Sequence, residues 1–425
     1  MLEMLWGLMG GGVIGSNRRV RALGLGIAVR NFNDAAVPGL GSLSYGKQLL
    51  WSLLGIYVAS VAQERGMRVN KVEAANAIEA MACIVALRDK RRPSVASERI
   101  RGQQKLQGKN FCSFSEARKP SFYVSQPMRM GLVQPLVQLG LVEPGATRFN
   151  AYTLSGQGQK FLELACGPYS SACQNKGIQK ALLEWVMGKF DPWKSMPLQE
   201  CLNPADPLPK EAKIFFRGLL DADPRRRDGL LWVQSIAEKP HSLCWVNKPE
   251  PLTAEHWHKL YTGALLFAAR DAAIAVLETV EKQLDKAADA FLPLQDVRAS
   301  DELNFLAIKS QSFLDKSSEE VDAVLFCRKC IDMDKISVLR YLIALDGRVL
   351  RLSGDTVVPG PAFVKGIGDA VSGPNSSEEQ SSNVETSVAN VTMDTFEQLP
   401  GISYRVKNLL KIYSDLCAQS MEKAQ

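Results

Sequence analysis

Most of the chain follows a helical rhythm of apolar and polar positions. The first long apolar run, "QLLWSLLGIYVASVAQ" from Gln48 to Gln63, carries no charge and no strand-like alternation. It predicts a buried helix from Gly46 to about Glu64, closed by a turn at Gly66. The run falls short of the roughly 20 residues a membrane span requires, and Ser52, Gly55 and Ser60 dilute it. Asn70 and Glu73 stand at capping-box spacing and open a second helix through "VEAANAIEAMACIVAL" to Leu87. Beyond it Pro93, Gly102 and Gly108 break the pattern into loop or short helix.

After Ser121 the pattern changes. It predicts a short strand, a helical stretch ending at Gly140, a turn at Pro144-Gly145, an extended "TRFNAYTLS" and then a helix. From Gln174 onward helices dominate. Ser317 and Glu320 have capping-box spacing before "VDAVLFCRKCIDM", and a further helix ends at Asp346 with Gly347 as its C-cap. "GDAVSGPNSSEEQSSNVETSVANVTM" lacks aromatic residues and enough apolar ones to form a core, which predicts a flexible linker. The closing "FEQLPGISYRVKNLLKIYSDLCAQSMEK" reads as an amphipathic helix able to dock back on the body. No internal repeat is visible.

The predicted fold class is therefore mainly α and multi-domain, with an embedded α+β module. The segments are a glycine-rich start with a helical pair (1–87), a basic segment plus the α+β module (88–170), a helical body (171–367), the linker (368–393) and the last helix (394–425).

Composition adds compartment and charge. Nine cysteines at irregular spacing, an odd number, point to reduced thiols in a cytoplasmic protein. The amino terminus carries Glu3 and no basic n-region, unlike a cleaved signal, and no membrane partner is expected. The net charge of +6 is concentrated. Between Arg88 and Lys119 ten basic residues face Asp89, Glu98 and Glu116, a local excess of +7. Such an excess focuses a field on an anionic partner.

Two glycine motifs raise the question of a nucleotide. "LMGGGVIGSNRRV" matches G-x-G-x-x-G at Gly10, Gly12 and Gly15. A dinucleotide fold also needs flanking strands, a long helix and an acid closing the second strand. "MLEMLW" and "GIAVRN" would have to be those strands. Yet the intervening helix is short, Arg18 and Arg19 fall where small residues pack, and no acid ends "GIAVRN". "GSLSYGKQ" has G-x-x-x-x-G-K, but Gln48 replaces the hydroxyl residue that binds Mg²⁺ and "NDAAVP" is no buried strand. Lys47 is read as opening a helix on its solvent side. Close backbone packing explains these glycines better, and a nucleotide-binding enzyme stays a third reading.

Other chemistry is thin. His241, Cys244, His256 and His258 superficially resemble a zinc set, but on one helix His256 and His258 would point about 200° apart. Cys327 and Cys330 sit at helical spacing among apolar neighbours and read as core thiols. "EAK" at Glu211–Lys213, with Asp206 upstream, echoes a nuclease triplet but lies before a helix and not on a strand. "FVKGIGDAV", with Gly366 and Gly368, and "QLPGISYRV" echo helix-hairpin-helix turns. No catalytic residue, cofactor or metal is assigned.

The segment from Ser121 to Cys166 carries the clearest pattern. Leu139-Gly140-Leu141-Val142, the Pro144-Gly145 turn, Tyr152-Thr153-Leu154-Ser155, and Gly158 before Phe161 follow one another in order. This local order resembles the second half of a winged-helix DNA-binding domain. The resemblance implies that residues 126–138 enter the major groove with Arg129, Gln134 and Gln138 facing bases, while Arg148 on the wing reaches the minor groove or a phosphate. Pro135 would kink that helix. Arg88, Lys90, Arg91, Arg92, Arg99, Arg101, Lys105, Lys109, Arg118 and Lys119 would hold phosphates. Phe111, Phe114, Phe122 and Tyr123, interleaved with them, would stack or pack. The expected function is a non-enzymatic DNA-binding adaptor subunit of a larger protein complex, by analogy with parts of prokaryotic restriction or anti-phage assemblies. A scaffold that binds only protein is the alternative.

Overall fold

A computed structural model describes residues 21–89, 98–120, 122–145, 147–170, 177–238, 243–287, 289–317, 319–366 and 398–418. Its helices begin with α1 (Gly26–Ala36), α2 (Gly46–Glu64), α3 (Lys71–Arg88), α4 (Gln103–Leu106), α5 (Phe114–Ala117) and α6 (Val133–Gln138). There follow α7 (Gly156–Ser170), α8 (Ile178–Val186), α9 (Met196–Leu202), α10 (Lys210–Asp221) and α11 (Pro224–Glu238). The last are α12 (Ala254–Lys286), α13 (Ser300–Leu314), α14 (Val321–Cys330), α15 (Lys335–Asp346) and α16 (Tyr404–Cys417). Strands β1 (Leu292–Pro293), β2 (Leu350–Ser353) and β3 (Thr356–Pro359) are short, and the architecture is mainly helical. The described residues fall into two compact units, one joining residues 21–32 to 260–366, the other Asn33–Lys259 to 398–418.

In the larger unit α2 and α3 form the centre. Fourteen of the nineteen α2 residues are buried, so the helix shows no wet face to give an amphipathic stripe. The capping box at Asn70 is present in both directions and starts α3 where the spacing predicts. Gly55 lets the two helices meet: a Cβ there would lie 2.5 Å from the Cα and Cβ of Ala75. Helices α7, α8 and α9 and the short α4 and α5 pack on this pair.

The few polar groups of the pair meet the ends of surrounding elements. Lys47 Nζ donates to the Cys201 carbonyl (2.5 Å) and Trp51 Nε1 to that of Leu202 (3.0 Å), both in the last turn of α9. Glu79 accepts the amides of Met128 (2.7 Å) and Arg129 (3.3 Å), which open a 3₁₀ turn over Met128–Leu132. Lys71 Nζ donates to Tyr152 O (2.5 Å), just after a second 3₁₀ turn at Phe149–Ala151. Cations thus meet orphan carbonyls at helix ends, and the carboxylate meets orphan amides at a start.

The smaller unit has its own apolar core, running from Leu23 and Phe32 through α12, α13, α14 and α15 to Val357. Its sheet is antiparallel with order β1-β3-β2, and a two-residue turn, Gly354-Asp355, joins β2 to β3 with Ser353 opposite Thr356. Gly354 takes φ +60° there. Buried Arg21 bonds Glu281 (2.7 Å) and Asp346 (3.2 Å), and Asp346 also accepts the amides of Val349 and Leu350.

Several expectations change. "GIAVRN" begins α1, so it is no second strand of a dinucleotide fold. Residues 122–126 contain no strand, and the extended stretch up to Ser155 is reduced to one bridge, Val142 to Leu154. Helix α14 starts at Val321, with Glu320 at the N-cap position and no side-chain cap bond, so Ser317 does not cap it. Gly347 closes α15 in the left-handed conformation, as its position predicts. Gly10, Gly12, Gly15, Arg18, Arg19 and the 368–393 segment lie outside the described residues. Among the described residues one helix, α12, is long and apolar enough to cross a membrane, and 61% of its most apolar window is buried within the protein.

Gly55→Ala is expected to lower stability by about 1–3 kcal/mol through overpacking against Ala75. Urea denaturation checks this, and an unchanged midpoint would contradict the close approach.

Candidate nucleic-acid interface

The phosphate-loop motif is filled by the protein's own groups. Lys47 is 0% exposed, not solvent-facing, and its ammonium lies 5.8 Å from the Tyr169 ring centroid. Burial pulls its pKa below the ordinary lysine value. The Gly46 amide donates to Asp415 Oδ2 (2.9 Å) and the Ser44 amide to Gln48 (2.9 Å). A carboxylate therefore stands where a phosphate would. The Gly366 amide is likewise taken by Asp285 (2.9 Å), while Gly368 lies outside the described residues.

The histidine set does not converge either. His256 is buried, with Nε2 2.7 Å from the Ala36 carbonyl, whereas His258 is exposed and His241 is outside the described residues. No described group of His, Cys, Asp or Glu has the arrangement of a metal site. The eight described cysteines are unpaired, and burial pushes the Cys327 thiol up to about 12, away from thiolate chemistry. Glu211 and Lys213 lie on α10, where Lys213 bonds Ala418 O (2.6 Å).

The segment from Gln126 to Gln138 is built as the 3₁₀ turn Met128–Leu132 followed by α6. Pro135 stands in the first turn of α6, where its missing N–H costs no helical bond, so it does not kink the helix. Ser155 N bonds Leu141 O (3.3 Å) and Glu143 N bonds Thr153 O (2.9 Å), a minimal ribbon between α6 and α7. Gly158 is needed there: a Cβ would lie 2.1 Å from Leu141 O.

Of the fourteen candidate residues, the eleven described ones separate into two groups. Arg99 pairs with Asp415 (2.5 Å), Arg118 with Glu73 (2.5 Å), and Arg101 bonds Gln126 O (2.9 Å). Arg129 bonds Asn76 (2.5 Å), and Gln134 bonds Asp34 (2.7 Å) and accepts from Arg405 (3.2 Å). Burial lowers the pKa of Arg129. These five are held inside the protein's own network. Arg88, Lys105, Lys109, Lys119, Gln138 and Arg148 are exposed, and Lys90, Arg91 and Arg92 lie outside the described residues. Among the exposed, Arg88, Lys109, Lys119 and Arg148 have no described carboxylate within ion-pair distance.

Aromatic residues complete the surface. Phe114 and Tyr123 are buried and pack, whereas Phe111 is 72% exposed. Arg88 lies over Trp193 (5.5 Å), Arg118 over Phe114 (5.5 Å) and Lys109 over Phe122 (5.3 Å). Trp193 and Arg68 come from segments distant in sequence, and no local spacing signalled that they join this surface. None of the protein-family models, curated proteins or solved structures compared with the chain matches it.

Two stability tests follow from the buried groups. Lys47→Met leaves the Cys201 carbonyl unbonded and is expected to cost about 1–3 kcal/mol in urea denaturation. Burial lowers the pKa of His256, so the folded ring stays neutral while the unfolded one takes a proton below about pH 6.5. Its contribution is present above that value and is lost as pH falls beneath it. The wild-type urea midpoint should therefore drop more between about pH 7 and pH 5 than that of His256→Gln. Parallel curves would contradict the assignment.

Proposed function

We propose that the protein is a non-enzymatic DNA-binding adaptor subunit of a multi-protein complex. The observation that carries this reading is the group of exposed cations around α3 and α5. Arg88 closes α3, Lys109 precedes α5, and Lys119 follows Arg118 just beyond it. Cations without internal carboxylate partners are available to phosphates, whereas Arg99 and Arg118 first have acids to leave. Arg148 lies toward the start of α3, at the opposite end from Arg88: Asn150, two residues on, accepts the Val72 amide (2.9 Å) through its Oδ1.

The winged-helix likeness is part of this proposal in altered form. The order α6, ribbon, α7 supports it, but Arg129 and Gln134 would have to leave Asn76, Asp34 and Arg405 to read bases. Contact through phosphates therefore fits the geometry better than readout in the major groove. The adaptor half rests on apolar side chains left exposed at helical spacing: Phe305 and Ile308 on α13, Val321 and Leu325 on α14. Exposed apolar faces of this kind favour contact with another protein subunit.

Fluorescence anisotropy with a short labelled DNA duplex, at about 50 and 200 mM salt, tests the reading. Binding should weaken with salt. Replacing both Lys109 and Lys119 with Gln should lower the log–log salt slope by about 1.8 if each holds a phosphate. Absence of binding to any DNA at the lower salt would overturn it.

A further inference from the structure

We propose that a cleft beside α3 receives the unpaired bases of single-stranded nucleic acid, a step that rests on the nucleic-acid reading above and specifies its ligand. The cleft has a volume of about 760 Å³ and lies where the α2–α3 turn, the approach to α5 and the end of α8 converge. Its walls include Arg68, Phe111, Phe114, Trp185, Phe190 and Trp193. Five of the seventeen lining residues are aromatic, against 8% in the whole chain. Phe114 and Trp185 are buried behind the wall, so Phe111, Phe190 and Trp193 are the rings that offer open surface to a flat ligand.

Buried rings and a hydrogen bond support the wall from behind. Phe114 meets Trp185 edge to face at 5.3 Å, and Trp193 Nε1 bonds the Cys112 carbonyl (3.0 Å). Phe111, by contrast, is open to solvent, free to lie against an incoming base. Stacking on such rings tolerates any base because every base has a π-face.

Charge selects among ligands that favour aromatic walls. The lining carries Arg68 and Arg118 against Asp191, with Arg88 over its Trp193 and Lys109 within Coulombic reach of its Cys112. The nearby acids are already engaged: Asp191 caps Trp193 N (3.1 Å) and pairs with Lys194 (3.7 Å), Glu116 closes a capping box with Ser113, and Glu73 holds Arg118. Arg68, Arg88 and Lys109 form no close ion pair with a described carboxylate, and Lys109 feels Glu116 only at longer range. A methylammonium ligand, which also seeks aromatic cages, would meet like charge here, and a polyanion meets opposite charge. A duplex keeps its bases stacked inside, so only unpaired nucleotides can put rings into the cleft.

The test titrates a labelled twelve-nucleotide oligo-dT and the matching dT·dA duplex by anisotropy at low salt, and follows tryptophan emission with unlabelled oligo-dT. Trp193, the partly exposed tryptophan of the wall, should be quenched by the single strand. Phe111→Ala, a change at an exposed side chain, should weaken single-strand binding about ten-fold and leave duplex binding unchanged. Arg88→Gln should weaken it as well.

Unchanged oligo-dT affinity in Phe111→Ala, or duplex binding as tight as single-strand binding without quenching, would overturn this proposal while leaving nucleic-acid contact standing. Failure of both oligonucleotides to bind would remove the underlying reading too. Quenching by a proline-rich peptide but not by oligo-dT would overturn the proposal in favour of a peptide groove.

Discussion

The larger unit depends on how closely α2 and α3 approach at Gly55 and Ala75. Backbones that near each other leave no room for water between them, and the helices packed on the other faces leave both buried nearly all round. The charges they retain must then find partners inside. Lys47, Lys71 and Glu79 do so by meeting carbonyls and amides that other short elements cannot satisfy themselves. Burying an ammonium or a carboxylate is costly, and the orphan ends of α9 and of the 3₁₀ turns recover that cost. The central pair thereby fixes where its neighbours begin and end.

The candidate surface inherits its geometry from α3. At the start of the helix Glu73 holds Arg118, and Val72 holds Asn150. At its end Arg88 lies over Trp193, which in turn holds Cys112. The segment carrying Phe111 and Phe114 is thus tied toward both ends of one buried helix. Trp193 and Arg118 are placed by bonds that a ligand need not make.

Signals confined to a few residues were legible in the sequence. The uncharged run of α2, the capping box at Asn70 and the cap at Gly347 depend on neighbours within one or two turns, and each appears where the pattern predicts. "GIAVRN" was open to two readings, because so short an apolar run fits a strand or a helix alike. The hairpin at "LRLSGDTVVP" was readable from its two-residue Gly-Asp turn, yet strands of four residues give little alternation to notice. The burial of Lys47 was not readable, since the carbonyl that receives it lies 154 positions away. Nor was the division of the arginines between internal partners and solvent. Arg99 and Lys109 look alike in a basic segment, and only Asp415, far along the chain, distinguishes them.

The glycine motifs carry a related lesson. Backbone amides gathered near a glycine form an anion site whatever the anion's origin. At Gly46 that anion is Asp415, and at Gly366 it is Asp285. Asp415 also neutralises Arg99, so one carboxylate ties α16 to the start of α2 and to the basic segment. A pattern that resembles a phosphate cradle in sequence is here a docking point for the chain's own acid. The same carboxylate that fills the glycine motif at Gly46 withdraws one arginine from the candidate phosphate-binding residues, which leaves the cations nearer Trp193 and Phe111 as the candidate surface.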